Sequence, residues 1–362
     1  MTGAVPRIGS IAVLGLGKVG LLAARLLHEA GIDVTGLDLR PARADEPFPT
    51  IAEDVGDIAV LERELGAVDA VLSCLPYGCN RDVADVAHRL GLHYFDLTED
   101  VGTTEHIRKL AISAEGVMAP QCGLAPGLVS IVAASQAERF DRCRSIRMRV
   151  GALPQHPTGL LGYAFNWSPE GVVNEYLNDC EVIEDGVRKF VSSMEWKETV
   201  YVGGAHLEAF TTSGGLGTMC DTYSGRVENL DYKTMRYPGH MDLMNFFFHE
   251  LLMRERRELA GEILTHAKPP VDADVVHIHV ASEGWIGDQM RRLEYVRSFF
   301  PREIGGSCAT AIAWTTAASV AATIELVRDG VIADVGELRQ ETIPLDSFLR
   351  TTTGVLFDVP PP

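Results

Sequence analysis

Residues 11–20 read IAVLGLGKVG, and the next hydrophobic run, IDVTGLDL, closes on Asp38. The first stretch predicts a strand, a turn with the spacing Gly15-x-Gly17-x-x-Gly20 and the start of a helix. Apolar residues after the turn recur at the spacing of one helix face. A strand, a glycine turn, a helix and an acid in this order predict a Rossmann-type unit that binds a dinucleotide.

The glycines of this turn have separate expected roles. Gly15 permits the tight turn, Gly17 lets the backbone approach a pyrophosphate, and Gly20 lets the helix pack on the strand. The diphosphate would lie at the helix N-terminus, so Lys18 and Val19 join the predicted cofactor contacts. The alternative is a doubly wound domain whose glycine turn binds nothing.

Asp38 bears on the choice of cofactor. It lies 23 residues after Gly15, where a carboxylate can accept hydrogen bonds from a ribose 2′-hydroxyl. The same charge would repel a 2′-phosphate, so the sequence favours NAD over NADP. Arg40 and Arg43 follow closely and keep NADP open as the less favoured cofactor.

Strand and helix patterns alternate through the first 120 residues. This alternation is typical of a right-handed parallel sheet, and the expected fold class is α/β with a doubly wound sheet. Ser73, Cys74 and Leu75 end one buried strand at the crevice beside the cofactor, where they are predicted to line the nicotinamide-ribose region; plain packing is the alternative for Cys74. The predicted strands lie near 9–15, 33–39, 50–52, 69–75, 93–97 and 116–119.

The pattern changes after Met118. Longer segments that alternate apolar and polar residues predict a mixed sheet with one covered face. We expect a dinucleotide-binding domain over residues 1–122 and a second, α+β substrate domain over 123–306. An alanine-rich helix from Ser307 to about Arg328 would begin a segment, 307–362, that returns to the first domain.

The stretch NLDYKTMRYPGH, at 229–240, concentrates candidate catalytic side chains around a proline–glycine break. After the glycine-rich stretch SGGLG, read as a hairpin, it favours a substrate loop. Arg236 would clamp a carboxylate through two parallel hydrogen bonds, and Lys233 would act as a point charge or proton donor. Tyr237 and His240 are candidates for proton transfer. The alternatives are solvated surface charges for the cations and a helix cap for His240.

Composition argues against several partners. The formal net charge of −18 argues against nucleic acid and anionic membranes, whereas a cationic amine would be attracted. The longest stretch without charged residues, 304–324, is rich in small residues and unlike a membrane span. We expect no signal peptide, and the seven cysteines, without a C-x-x-C pair, indicate a reducing cytoplasm. His277 and His279 lack a third ligand, so no metal is expected.

Five motifs together suggest a family. They are GLGKVG, SCLPYGCN, FDLTED, CGLAPG and YKTMRYPGH, and they spread over nearly the whole chain. With them the chain resembles the saccharopine dehydrogenase-like reductases, and within that superfamily it is most similar to lysine 6-dehydrogenases.

The resemblance implies a Rossmann domain, a second domain whose open sheet makes a homodimer or higher homo-oligomer, and NAD(P)-dependent hydride chemistry at a carbon bearing an amine. It places Cys122, as a candidate catalytic residue, and Gly123, as a cofactor contact, in a loop that faces substrate and nicotinamide. Trp167 and Glu175 have no role by motif; Trp167 is expected to line the substrate side chain and Glu175 to meet an amine.

The favoured function is NAD-dependent oxidative deamination of an amino acid or amine. L-lysine oxidised at the ε-carbon would give ammonia and a semialdehyde that cyclises. A saccharopine-type or carboxynorspermidine-type imine reductase is the first alternative, although a dicarboxylic substrate requires more clustered arginines than the sequence offers. A non-catalytic NAD-binding sensor is the second.

Overall fold

The computed structural model describes residues 8–40 and 45–358. Arg43, one of the residues that keep NADP open, lies outside the described residues. The chain divides into two compact units. Unit 1 contains the residues up to Leu128 together with Glu303–Ala309 and Ala313–Asp358, and unit 2 contains Val129–Arg302 and Thr310–Ile312.

The strands are β1 (Ser10–Leu14), β2 (Asp33–Asp38), β3 (Thr50–Ala52), β4 (Ala70–Ser73), β5 (His93–Asp96), β6 (Val117–Ala119), β7 (Arg142–Pro154), β8 (Cys180–Glu184), β9 (Val187–Val191), β10 (Glu198–Val202), β11 (Ala205–Thr211), β12 (Asn229–Arg236), β13 (Asp274–Ile286), β14 (Gln289–Phe299), β15 (Arg302–Ile304), β16 (Ser307–Ala309) and β17 (Gly336–Glu337). The α-helices are α1 (Lys18–Glu29), α2 (Ile58–Leu65), α3 (Tyr77–Leu90), α4 (Val101–Ala111), α5 (Leu128–Ala137), α6 (Pro169–Leu177), α7 (Met219–Tyr223), α8 (His240–Asn245), α9 (Arg257–Ala267), α10 (Ala311–Arg328) and α11 (Leu345–Phe348). A π-helical turn, Phe246–Glu250, follows α8, and short 3₁₀ turns lie at Met253–Glu255, Gln340–Thr342 and Gly354–Phe357.

Unit 1 is built on a parallel sheet of seven strands in the order β17-β6-β5-β4-β1-β2-β3. The order 3-2-1-4-5-6 is that of a doubly wound dinucleotide-binding sheet, so the predicted α/β class is confirmed. The six predicted strands are all present, with ends within two residues of the prediction. The seventh, β17, was not predicted, because two residues are too few to show a periodic pattern.

Unit 2 contains a mixed sheet of eight strands. Its main path runs β10-β11-β12-β7-β13-β14, and the hairpin of β8 and β9 joins it at β12. β12 pairs with β7 in parallel, whereas the other pairs are antiparallel. The predicted mixed sheet in a second domain is therefore confirmed. Buried side chains of the sheet and of α6 form one apolar core, which includes Phe165, Tyr176, Phe210, Met235 and Phe248.

Three local predictions differ from the structure. The glycine-rich stretch 213–217 is not a hairpin, since it leads from β11 into α7, and Gly215 packs so closely on Tyr232 that a Cβ would lie 2.3 Å from its ring. The alanine-rich helix begins at Ala311 instead of Ser307, because the turn at 305–306 pairs β15 with β16. Residues 229–236 form the central strand β12, so the expected substrate loop begins only at Tyr237.

Among the described residues, no helix combines the length and the apolar composition that a membrane span requires.

Candidate active site

The glycine turn of unit 1 has the shape of a phosphate cradle. Gly15 has a φ of 86°, which favours glycine. A Cβ on Gly20 would lie 1.9 Å from the Gly15 carbonyl oxygen, so this position requires close packing of helix on turn. A Cβ on Gly17 would meet nothing within 4 Å, so the backbone is open to a ligand there. The residues present therefore fit a dinucleotide.

The N-terminus of α1 follows directly. Gly17 is the N-cap, no side chain caps the helix, and its first turn carries no acidic residue. The first N–H groups of a helix have no intrahelical acceptor, and they attract phosphate through the helix dipole. Lys18 and Val19, the predicted contacts, are the first two residues of this turn, and Lys18 is exposed.

Asp38 lies at the end of β2, half-buried beside the turn. Its Oδ2 accepts a hydrogen bond from the Leu16 N–H at 2.7 Å, and its Oδ1 accepts one from the Arg40 N–H at 3.0 Å. These bonds fix the orientation of the carboxylate, which has further lone pairs for a ribose hydroxyl. The Arg40 side chain is exposed.

Ser73 is not placed where the sequence predicted. Its Oγ donates to Asn80 Oδ1 at 2.7 Å, and Asn80 in turn donates to Asp96. All three side chains are buried. The Ser73 hydroxyl therefore belongs to an internal network of unit 1, because its strand position points it into the core.

Cys74 and Leu75 support the glycine turn. A Cβ on Gly15 would lie 3.0 Å from the Cys74 carbonyl oxygen and 3.1 Å from Leu75 Cδ2, and one on Gly20 would lie 3.0 Å from Cys74 Cβ. Burial, together with the charge of Asp96, raises the pKa of Cys74 to about 12. These residues shape the turn by packing, which was the alternative considered for Cys74.

Cys122, a predicted catalytic residue, has internal hydrogen-bond partners in unit 1. The side chain is fully buried, its Sγ donates to the Ala119 carbonyl at 3.2 Å, and Gln340 Nε2 donates to Sγ at 3.2 Å. Burial, with the nearby charge of Asp96, raises the pKa of the thiol, which disfavours the thiolate. The backbone of the CGLAPG motif forms a hydrogen-bonded turn, since the Gly123 carbonyl accepts the Leu128 N–H at 3.1 Å.

In unit 2 the predicted residue Arg236 lies at the end of β12 and is 2% exposed. Its Nη1 donates to Thr234 Oγ1 at 2.6 Å and to the Met235 carbonyl at 2.9 Å, and its Nε donates to the Tyr176 hydroxyl at 2.8 Å. The guanidinium also lies over the ring of Tyr163, 4.7 Å from its centre. Since Nε and Nη1 are engaged, a carboxylate would meet Nη2, and the predicted two-bond fork is not available.

The charge of Arg236 is retained despite its burial. Burial opposes the charge, but the hydroxyls of Tyr176 and Tyr163 and the carboxylate of Glu175 outweigh it, and the pKa is raised. The hydrogen-bond acceptors of the guanidinium are hydroxyl and carbonyl oxygens. The hydrogen-bond acceptors of the guanidinium are thus neutral, and Glu175 is a carboxylate that supports its charge.

His240 contacts Tyr176 on the far side from Arg236. His240 Nδ1 lies 3.0 Å from the Leu161 carbonyl, and Nε2 lies 2.9 Å from the Tyr176 hydroxyl. Burial and the charge of Arg236 lower its pKa to about 3, so the ring is neutral. Both ring nitrogens have hydrogen-bond partners within the protein. The predicted role of His240 was instead proton transfer with the substrate. Its side chain makes no capping bond to α8 either.

The other two members of the predicted cluster lie apart from Arg236. Lys233 is three residues away on β12, and side chains alternate along a strand, so it lies on the opposite face of the sheet. There its Nζ donates to the Trp196 carbonyl at 2.6 Å and pairs with Glu198 at 3.1 Å. Tyr237 is half-buried, and its hydroxyl donates to the Pro154 carbonyl at 2.9 Å.

Trp167 and Glu175 adjoin the pocket of Arg236. Trp167 Nε1 donates to the Tyr163 hydroxyl at 3.2 Å. Glu175 lies on α6, is 7% exposed, and is close enough to raise the pKa of Arg236. The structure thus connects Trp167 to Tyr163, the ring under the Arg236 guanidinium, and gives Glu175 an electrostatic effect on the same cation.

Sequence reasoning missed the tyrosines of this pocket, Tyr163 and Tyr176. Both belong to the stretch GYAFNWSPEGVVNEY, at 162–176, which is rich in polar and aromatic residues. α6 begins after Ser168, whose Oγ accepts the Gly171 N–H at 3.1 Å, and it carries Tyr176 in its last turn. Position along a helix does not reveal which strand residue a tyrosine meets.

In the described part of the chain, no three His, Cys, Asp or Glu side chains are grouped as a metal site would require. His277 Nδ1 is instead bonded to Ser298 Oγ at 2.8 Å.

The glycine turn on a doubly wound sheet defines unit 1 as a dinucleotide-binding domain of the Rossmann class. The model of the saccharopine dehydrogenase NADP binding domain matches residues 11–119, and that of the saccharopine dehydrogenase C-terminal domain matches residues 123–352. The chain therefore belongs to the saccharopine dehydrogenase family.

Two curated relatives and one solved structure show the extent of the similarity. The glutamate-forming, NADP(+) saccharopine dehydrogenase of Schizosaccharomyces pombe is 26% identical over 184 residues, 49% of this chain and 39% of the relative. The Saccharomyces cerevisiae enzyme of the same name is 28% identical over 162 residues, 41% of this chain and 35% of the relative. The matches thus span well under two thirds of these relatives. The apo saccharopine dehydrogenase structure from S. cerevisiae has a TM-score of 0.72 at 17% identity. The match covers 94% of this chain and 96% of the S. cerevisiae chain, and it shows the shared fold.

Proposed function

We propose that this protein is a nicotinamide-dependent dehydrogenase that acts on a CH–NH or CH–NH₂ donor, and that its substrate is L-lysine, oxidised at the ε-carbon. Family membership and the phosphate cradle of unit 1 support the dehydrogenase class. The buried guanidinium of Arg236 carries the substrate proposal.

Arg236 favours a substrate with a carboxylate. A buried cation with neutral hydrogen-bond acceptors is costly, and a bound carboxylate at Nη2 would offset part of that cost. Glu175, close to the same guanidinium, would interact with an amine of the substrate. One cation and one acid match an amino acid that carries one carboxylate and a second amine, as lysine does.

The chemistry requires a neutral amine, because an ammonium group cannot release hydride. A bound nicotinamide would accept the hydride from the ε-carbon. Glu175 would take the proton of the substrate ammonium, and Tyr163 and Trp167 would keep bulk water from the carbon chain. Loss of hydride leaves an iminium ion on the substrate, water adds to it, and the C–N bond breaks to give ammonia and an aldehyde. The aldehyde then closes on the α-amine with loss of water.

We further propose NAD as the preferred cofactor. The carboxylate of Asp38, fixed by two backbone N–H groups, supports this choice, since it would repel a 2′-phosphate. The matching domain model and both relatives carry NADP in their names, and the exposed Arg40 is a possible phosphate contact, so the two cofactors must be compared directly.

Self-association through unit 2 is a further part of the proposal. Among the described strands, β14 ends the main path of the sheet, with β13 as its paired neighbour, and it is 11 residues long. A long unpaired edge is a template for a second chain. A homodimer or higher homo-oligomer would be seen as a mass of at least twice 39.4 kDa in light scattering after size exclusion.

The names of the relatives favour a second candidate, a saccharopine dehydrogenase that cleaves or forms a C–N bond between two amino acids. A non-catalytic sensor is a third, and the buried polar pocket of unit 2 counts against it.

To test these candidates, the protein is incubated with NAD or NADP and with L-lysine, 1,5-diaminopentane or saccharopine. The absorbance of the reduced cofactor is followed in each reaction. The proposal expects lysine turnover with ammonia equal to reduced cofactor and a product that reacts with o-aminobenzaldehyde. Lysine labelled with nitrogen-15 at the ε-amine should release labelled ammonia. Turnover of saccharopine without turnover of lysine would establish the second candidate, and no turnover in any arm would favour the sensor.

A further inference from the structure

Tyr176 stands at the centre of a buried chain of hydrogen bonds that the proposed chemistry does not use. The chain runs from Arg236 Nε through the Tyr176 hydroxyl to His240 Nε2, and from His240 Nδ1 to the Leu161 carbonyl. Arg236, Tyr176 and His240 are each 2% exposed or less.

The direction of every bond in this chain is fixed by chemistry. A carbonyl can only accept, so His240 Nδ1 carries the proton and, in a neutral ring, Nε2 is an acceptor. The Tyr176 hydroxyl therefore donates to Nε2, and its lone pair receives the Arg236 Nε–H. Burial raises the pKa of Tyr176 and lowers that of His240, in keeping with these protonation states.

Tyr176 differs from the other acceptors of the guanidinium. Thr234 and Met235 belong to the same strand as Arg236 and move with it, whereas Tyr176 is supplied by α6. Its bond thus determines how the guanidinium is turned relative to the pocket, and leaves Nη2 for a ligand.

His240 is itself held in place from the sheet. Glu208 on β11 accepts the N–H groups of Gly239 at 3.0 Å and Met241 at 2.7 Å, the residues on either side of His240. Glu208 is 4% exposed, and Lys197 pairs with it at 3.2 Å. The start of α8 therefore has little freedom, and the acceptor offered to Tyr176 is fixed.

We propose that Tyr176 is a positioning residue of the carboxylate site, with its hydroxyl oriented by His240 so that Arg236 presents Nη2 to the substrate. The inference rests on the proposed function for the identity of the ligand. His240 then acts through Tyr176 and not on the reacting atoms.

The kinetic test compares Tyr176→Phe with the wild-type protein. Loss of the hydroxyl should raise the KM for L-lysine by about tenfold or more and change kcat by less than about threefold, because a hydrogen bond to a charged group is lost. The KM for 1,5-diaminopentane, which has no carboxylate, should not change. In an Arg236→Met background, Tyr176→Phe should add less than about twofold. Tyr223→Phe, at another buried tyrosine of unit 2, is the control and should behave as wild type.

A second readout does not depend on activity. With nitrogen-15 in arginine and histidine, the Arg236 Nε–H should exchange slowly with solvent in the wild type and at least about tenfold faster in Tyr176→Phe. His240 should show the tautomer protonated at Nδ1. Equal exchange rates in both proteins, a proton on Nε2, or equal rises in KM for lysine and diamine would overturn the inference. If the wild type turns over no amine, the proposed function fails while the exchange rates still decide the role of Tyr176.

Discussion

The carboxylate of Asp38 bonds the backbone of Leu16, 2.7 Å away across the glycine turn. The residue expected to choose the cofactor thus also orders the loop that holds it. Because one side chain would have both roles, replacing it tests charge and loop order together unless the variants are chosen to separate them.

Asp38→Asn separates these roles. An amide oxygen can still accept the Leu16 N–H, but the bond from the Arg40 N–H and the negative charge are lost. We expect the ratio of kcat/KM with NADP to that with NAD to rise by about tenfold, because the repulsion of a 2′-phosphate is removed. Asp38→Ala should show the same shift together with a weaker affinity for both cofactors. A wild-type protein that already prefers NADP by tenfold would contradict the role given to Asp38.

Arg236→Met tests the carboxylate site directly. The variant replaces the buried cation with an apolar side chain of similar length. We therefore expect kcat/KM for L-lysine to fall by about a hundredfold or more, while the affinity for NAD stays the same. Steady-state rates and cofactor titration provide both values. Normal efficiency with lysine would return Arg236 to a structural role.

Lys233→Met provides the contrast from the other face of β12. The bonds of Nζ to Trp196 and Glu198 are lost, so the free energy of unfolding should fall by about 1–3 kcal/mol. The KM for lysine should change by less than about twofold, since Lys233 lies on the opposite face of β12 from Arg236. Urea denaturation and steady-state rates are the measurements. A large loss of turnover in a stable variant would restore the predicted catalytic role.

His240 makes stability depend on pH. Its pKa in the folded protein is about 3, against 6.5 for an ordinary histidine, with burial as the main cause. Between these values the unfolded chain holds one more proton, so the free energy of unfolding falls as pH falls, by about 1.4 kcal/mol per pH unit. In His240→Gln, the slope of stability against pH between about pH 4 and pH 6 should decrease by that amount. An unchanged slope in urea denaturation would show that His240 does take up a proton in the folded state.

Cys122→Ala addresses the predicted thiol. Because Sγ is buried and its pKa is raised, the variant should keep kcat/KM within about twofold of the wild type, and iodoacetamide should not inactivate the native protein through this residue. Rapid inactivation that Cys122→Ala abolishes would show that the thiol is reachable.

Patterns among residues close in sequence predicted the fold of unit 1, but they predicted only some of the residues around Arg236 in unit 2. The turn from Gly15 to Gly20 is dictated by neighbours in sequence, so its geometry follows from spacing. Arg236 was found through the YPG motif, but Tyr176 lies 60 positions earlier in the chain, and only the packing of α6 brings the two together. Lys233 was predicted to share a substrate loop with Arg236, whereas β12 continues to Arg236 and alternation along the strand puts the two cations on opposite faces of the sheet.

Unit 1 is discontinuous in sequence, since Ala313–Asp358 belongs to it together with the residues up to Leu128. During synthesis on the ribosome, β6 emerges long before β17, the strand that pairs with its outer edge. The outer edge of β6 therefore lacks its partner strand β17 while unit 2 is translated. A nascent chain halted near residue 300 should therefore be cut by protease in unit 1 more readily than the finished protein.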